Sequence, residues 1–346
     1  VSTAVATTFS DIFGQGQAVS AIQRAFRSGR LPHGLLFAGP SGVGKQTTAG
    51  VLARLALCEN PRDAEPCNAC QACTLVSAGT HPDLHVVYRQ LVRLENADAK
   101  ARDLTVQVIR DHLVAPANLK SSLGRGKAFI VHEADSMNVA AQNALLKTLE
   151  EPSGPTVIVL LTDSLEALLP TIRSRCQVVR FAPLDPAIVQ RELTARGHDA
   201  SLAREAAALA DGSLGLALHW IEDGVIVRAR ELLERIDEVW AAKTSSSWIG
   251  DFLKSAGEAY ADRALERDPK ASKDQATREG YAVYLRILAQ HFRMKLRDGG
   301  DADTLDRACR AIEAVRASEQ YIDTNVNAQL VFLQLASALR RARPAG

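Results

Sequence analysis

Leu35-Leu36-Phe37-Ala38-Gly39-Pro40-Ser41-Gly42-Val43-Gly44-Lys45 decides the fold of this chain. A short apolar run reads as a buried strand, and the glycine-rich turn after it opens a helical pattern. The backbone N–H groups of such a turn, with its lysine, cradle polyphosphate at a helix N-terminus. The next residue departs from the pattern. A phosphate-binding loop places Ser or Thr after its lysine, because the hydroxyl coordinates the Mg²⁺ that bridges the β- and γ-phosphates. Here that residue is Gln46. Thr47 and Thr48 follow, but each step along an α-helix turns the side chain by roughly 100°, which carries their hydroxyls off the metal position. The pocket is shaped for nucleotide, and its metal chemistry is impaired.

Outward from the loop, short apolar runs alternate with helical stretches as far as residue 181, the pattern of a parallel α/β sheet. Brevity and β-branched content predict strands at 35–38, 84–88, 128–132, 156–161 and 177–181. Pro183 and Pro186 punctuate the chain, and no strand is expected beyond them. Short helices are predicted at 187–196, 202–210 and 213–222, and the last third reads as entirely helical. Leu330, Val331, Leu335 and Leu339, and less strictly Val283, Ile287 and Phe292, recur at helical steps and read as core faces or subunit contacts. The charged segment 262–279, which holds Pro269, reads as a solvated connection or an exposed helix end. The expected division is a nucleotide-binding-like α/β domain over 1–182, a small helical domain over 183–225 and a helical domain over 226–346.

Composition narrows the function classes. With 346 residues, 47% of them hydrophobic, several cores are affordable. A formal net charge of +1 gives no overall pull toward nucleic acid or membrane, so any DNA contact must come from a local patch. Lys120, Arg125 and Lys127 with Gly124 and Gly126 form one such patch, or simply a flexible solvated loop. No apolar run approaches ~18 residues and no basic stretch leads into an apolar one at the start, so neither a membrane span nor a signal peptide is expected. The compartment expected is cytosolic. His81-Pro82-Asp83 catches the eye, but Pro before a strand and Asp in a turn account for it.

Six cysteines in so long a chain do not make a disulfide scaffold, and four of them are crowded as Cys58-x8-Cys67-x2-Cys70-x2-Cys73. A C-x-x-C step brings two sulfurs to one tetrahedral ion, and a full shell of four leaves no open position, so the ion would be structural zinc. An iron–sulfur cluster also uses tight cysteine steps, but the ferredoxin run needs a fourth Cys three residues on, where Ser77 stands. A redox or incidental cluster is the third reading. Of the two isolated cysteines, Cys176 and Cys309, the latter is expected to be a buried free thiol.

A P-loop ATPase also needs an acid at the end of a neighbouring strand to hold Mg²⁺ through water. Lys127-Ala128-Phe129-Ile130-Val131-His132-Glu133-Ala134-Asp135 supplies the strand and places His132 where that acid belongs, leaving Glu133. A neutral imidazole does not compensate Mg²⁺ as a carboxylate does. Either two metal contacts are missing from one site, or His132 caps a strand and the loop match is chance.

Further residues carry a resemblance. Asn138-x-Ala-Ala-Gln-Asn-Ala-Leu-Leu-Lys147-Thr-Leu-Glu-Glu-Pro152, then Val157 to Thr162 and Ser174-Arg175-Cys176, strongly resemble the bacterial clamp-loader AAA+ proteins. Phe9-Ser-Asp-Ile-Phe-Gly-Gln15, Arg30 to Phe37, Thr80-His-Pro-Asp-Leu84 and the four-cysteine insertion are similar to the same family. The resemblance covers about residues 8–225 by motif and the last third only by helical character. It implies an AAA+ P-loop module with a zinc insertion, a helical lid and a helical collar that joins subunits. It also implies Gly39, Gly42, Gly44, Lys45, Thr47 and Thr162 as nucleotide contacts, with Thr162 at the first sensor position or merely a satisfied strand-end hydroxyl.

In the family's motors the lid helix carries an Arg that reaches the γ-phosphate, in a Gly-Ser-x-Arg context. This chain has Gly212-Ser213-Leu214-Gly215. The departures at Gln46, His132 and Gly215 imply a non-motor subunit that hydrolyses little or no ATP, with ATP or ADP held passively if at all. Arg175 is then implied as an arginine finger acting in trans in a neighbour's site, where such a residue is worth roughly 10³ to 10⁵ in rate. The implied partners are gamma/tau and delta subunits, with the sliding clamp and primer–template DNA reached through the complex. Two rivals stay open: a gamma/tau-like motor with unusual metal ligation, and a zinc-dependent nucleic-acid-binding module.

Overall fold

A computed structural model describes residues 6–94, 99, 101, 103–241, 244–324 and 326–341, the side chains of 323 and 341 excepted. The chain forms two compact units, one of Val1–Ile188 with Gly212–Gly215, the other of Val189–Asp211 with Leu216–Gly346.

The first unit is built on a five-stranded sheet of β1 (Gly34–Ala38), β2 (Leu84–Val87), β3 (Lys127–Val131), β4 (Thr156–Thr162) and β5 (Gln177–Arg180), in the order β2-β3-β4-β1-β5. Every pairing is parallel. Parallel strands covered on both faces are apolar throughout, and all of β1 and β3 is buried. Side chains alternate between two cores. Leu36, Phe129, Val131, Ile158 and Leu160 point to one; Leu35, Phe37, Ile130, Val159 and Leu161 point to the other.

Helices α1 (Gly16–Arg27), α2 (Lys45–Leu57) and α3 (Gln71–Ser77) precede β2, and α4 (Val106–Ile109) and α5 (Ala115–Asn118) lie between β2 and β3. Helix α6 (Val139–Glu150) leads to β4, and α7 (Pro170–Arg173) to β5. Between α4 and α5 the backbone widens into a π turn over Arg110–Val114. Pro116 follows it, and a proline offers no N–H to the ordinary ladder, so the wider turn keeps the helix continuous.

The rest of the chain is helical: α8 (Pro186–Ala195), α9 (Ala200–Leu209), α10 (Leu214–Glu222), α11 (Val225–Trp240), α12 (Ile249–Arg267), α13 (Lys273–Asp298), α14 (Ala302–Asp323) and α15 (Ala328–Arg341). The charged segment at 262–279 is the end of α12, a short link and the start of α13, which Ser272 caps by accepting from the Gln275 N–H. Val331, Leu335 and Leu339 are buried, whereas Leu330, about 100° round the helix from Val331, is exposed. Cys309 corrects its expectation in the same way. Its neighbour Ala308 is buried and Cys309 is exposed. No described helix is long and apolar enough to cross a membrane.

Candidate functional site

The phosphate loop joins β1 to α2 in the first unit. Gly39 lies so close to β5 that a Cβ there would stand 2.2 Å from the Phe181 carbonyl oxygen, so only glycine fits. Gln15 braces the loop from below: its amide donates to the carbonyls of Val43 (3.1 Å) and Ala182 (2.8 Å) and accepts from the Ala182 N–H. Lys45 is buried and folded onto its own loop. Its Nζ donates to the carbonyls of Gly39 (2.5 Å) and Pro40 (2.6 Å) and to Asp163 Oδ1 (2.7 Å). Gln46 and Thr47 are exposed, and the Thr48 hydroxyl donates back to the Gly44 carbonyl at 2.8 Å. Thr162, buried at the end of β4, donates to the Ser164 carbonyl and accepts from the Ser164 N–H, so its proton is already committed.

At the end of β3, His132 is half-buried and burial lowers its pKa, which keeps the ring neutral. Glu133 adopts a left-handed backbone (φ 49°), a conformation that costs a residue with a Cβ, and its carboxylate pairs with Arg89 at 2.9 Å. Gly215 closes the arrangement. Its N–H donates to the Gly42 carbonyl at 2.9 Å, and a Cβ on it would stand 2.8 Å from the Gly42 Cα. A side chain at 215 therefore has no room while this contact holds.

Arg175 follows α7, its carbonyl beside Gly34 at the start of β1, the strand end opposite the phosphate loop. Its Nε donates to Glu150 Oε1 at 2.5 Å, its Nη2 meets the same oxygen, and its Nη1 donates to the Thr171 carbonyl at 3.0 Å and the Ser174 hydroxyl at 3.4 Å. The preceding turn is held by Gln142. This buried amide of α6 donates to the carbonyls of Met137 and Ala167 and accepts from the Leu169 N–H at 2.7 Å.

The four clustered cysteines meet at the C-terminal end of α2, where Cys58 caps the helix. All four Sγ atoms lie within 4.8 Å of one another, and those of Cys58 and Cys70 are 4.0 Å apart. A tetrahedral ion with metal–sulfur bonds of about 2.3 Å separates its sulfurs by about 3.8 Å, so the donor set fits zinc. Backbone N–H groups of Cys67, Cys70 and Cys73 point at the sulfurs of Cys58, Cys67 and Cys70 in turn. Such donors orient ligands and stabilise thiolate; those of Ala69 and Cys70 bring Cys67 down to about 6. Burial pushes Cys58 and Cys73 up, the cost that a bound cation removes. Cys176, far along the chain, is buried and pushed up to about 12.

The basic patch has a different employment. Arg125 donates to the Cys58 carbonyl at 2.7 Å, and Lys127 is buried with its Nζ on the carbonyls of Pro116 and Leu119. Asp83 accepts from the N–H groups of Ser122 (2.7 Å) and Leu123 (2.9 Å), which makes it the anchor of that loop. Lys120 remains exposed.

Strand order, loop position and the residues at the strand ends define a P-loop ATPase-like α/β module. Residues 14–185 match the family described as DNA polymerase III, delta subunit, and the chain belongs to that clamp-loader family. Its relatives include the DNA polymerase III subunits delta' of Pseudomonas aeruginosa (37% identical; 62% of this chain, 65% of that one) and Bacillus subtilis (34%; 55% and 54%). The tau subunit of Salmonella typhimurium is 31% identical over 63% of this chain and 33% of its own. The chain thus covers less than two thirds of each of these relatives.

Asp163 and the buried Gln142 are the site residues that sequence reasoning missed. Asp163 had a signal, an acid two residues beyond the predicted strand 156–161 and directly after the observed β4.

Proposed function

We propose that this chain is a delta-prime-type clamp-loader subunit that hydrolyses little or no ATP and supplies Arg175 in trans to a neighbouring gamma/tau ATPase. The observation that carries the reading is the state of Lys45. Three internal acceptors hold it, one of them the Asp163 carboxylate, while Gly215 sits on the loop where a motor would place an arginine. The resemblance ends at the same groups whose job is to stabilise charge on a transferring phosphoryl group: the hydroxyl after Lys45, the acid at 132 and the arginine at 215. Their loss leaves the outline of the fold intact.

The AAA+ domain would span 1–182, the lid 183–225 and the collar 226–346. Cys58, Cys67, Cys70 and Cys73 would hold a structural zinc, whose binding free energy of order 10 to 16 kcal/mol at neutral pH secures an otherwise irregular insertion. Gly39, Gly42, Gly44, Lys45, Thr47 and Thr162 would at most retain ATP or ADP passively. The setting is cytoplasmic DNA replication, within a DNA polymerase III hetero-oligomer that opens a sliding clamp and places it on primed DNA.

Guanidinium suits the role in trans because it is planar, permanently charged and bidentate toward phosphate oxygens. In a complex reconstituted with the motor subunits, Arg175→Ala is expected to lower DNA- and clamp-stimulated ATPase by at least about tenfold with assembly unchanged. An undiminished rate rejects the finger. Similarity to tau keeps a motor as the second reading, and ATPase of the isolated chain separates the two.

A further inference from the structure

We infer that Glu150 is the positioning residue for Arg175, an inference that rests on the finger reading above. The carboxylate belongs to the last residue of α6. A helix ends in a region of negative potential, which disfavours a carboxylate there, so Glu150 does not serve its own helix. Nor does it serve the fold through its ion pair. The side chains of Arg175 and Glu150 are 34% and 46% exposed, and pairs so solvated add little to stability.

What the pair does fix is geometry. Glu150 Oε1 takes the Nε and Nη2 side of the guanidinium, and the Thr171 carbonyl takes Nη1. Of the five N–H donors on an arginine, one on Nη2 then has no acceptor among the described residues, and the Nη1 donor facing Ser174 Oγ is held loosely at 3.4 Å. These remain for a phosphate oxygen while the other contacts persist. A long, rotamer-rich side chain is thereby ordered before the neighbour arrives, and the ordering cost does not fall on the catalytic step.

The test uses the reconstituted complex and reads kcat and KM of the neighbour's ATPase for four proteins: wild type, Arg175→Ala, Glu150→Ala and Glu150→Gln. Glu150→Ala is expected to lower kcat about three- to tenfold, the rate equivalent of ordering one such side chain, with KM for ATP and assembly unchanged. Glu150→Gln, whose amide oxygen still accepts from Nε, should recover at least about half of the wild-type kcat. If Arg175→Ala lowers turnover while Glu150→Ala stays within about 1.5-fold of wild type or exceeds it, a span smaller than any ordering cost, the inference fails alone. If Gln is as slow as Ala, positioning by hydrogen bond is rejected. If Arg175→Ala itself leaves turnover intact, the finger reading fails and takes this inference with it.

Discussion

The phosphate loop and the cysteine module sit at the two ends of one helix, α2, and they treat their polar atoms in opposite ways. At the C-terminal end four sulfurs converge within 4.8 Å. At the N-terminal end the ionic groups are spent on one another: Lys45 on Asp163, Glu133 on Arg89. A site built to hold an ion gathers like donors that repel or desolvate one another without it. A site released from chemistry can settle its charges internally. On the proposed reading the same helix carries both outcomes, and fold inheritance and chemical competence separate within its 13 residues.

Removing the metal should have the largest effect on this contrast. Chelation, or Cys70→Ser, is expected to release about one zinc per chain by elemental analysis and to lower the unfolding temperature of the sheet unit by roughly 10 °C. Retention of full stability by the metal-free protein would erase the difference between the two ends. Next comes the loop itself. Gly215→Ala forces a Cβ to within 2.8 Å of the Gly42 Cα, and overpacking of this kind should cost about 1–3 kcal/mol in denaturant unfolding. A neutral substitution would mean that the Gly42–Gly215 contact is not held in solution.

Acidity should act more weakly. Burial lowers the pKa of His132, and of His81 and His85 before and on the neighbouring strand β2. Below the unfolded value of about 6.5 the unfolded chain takes up protons that the folded chain refuses, so stability falls as pH drops from 6.5 toward the lowered folded values. Above 6.5 the contribution is fully present. Urea midpoints at pH 7.5 and 5.5 should differ in that direction, and His132→Phe should reduce the difference. Smallest of all is Asp163→Asn, which frees Lys45 of a half-exposed partner and should change stability by less than about 1 kcal/mol.

The five strands were legible because buried parallel strands are short, apolar and β-branched, and the observed bounds differ from the expected ones by one residue at most ends. The cysteine cluster was legible from spacing alone. The helix of 106–118 gave no comparable signal, since its π turn shifts the apolar period and Pro116 reads as a stop. Burial of Lys127 and the Arg125–Cys58 contact were hidden for a different reason. A basic residue in a glycine-rich loop looks solvated until tertiary structure brings carbonyls to it. Likewise nothing in Thr162 itself told a sensor from a capped strand end, because the Ser164 turn that engages its hydroxyl forms only in the folded chain.

The decisive measurement is the steady-state ATPase of the isolated chain, beside its Lys45→Ala variant and beside the motor subunit. A rate at background is expected in both forms of this chain, with activity appearing only when the motor is added. Turnover comparable to the motor's in the isolated chain, abolished by Lys45→Ala, would contradict it.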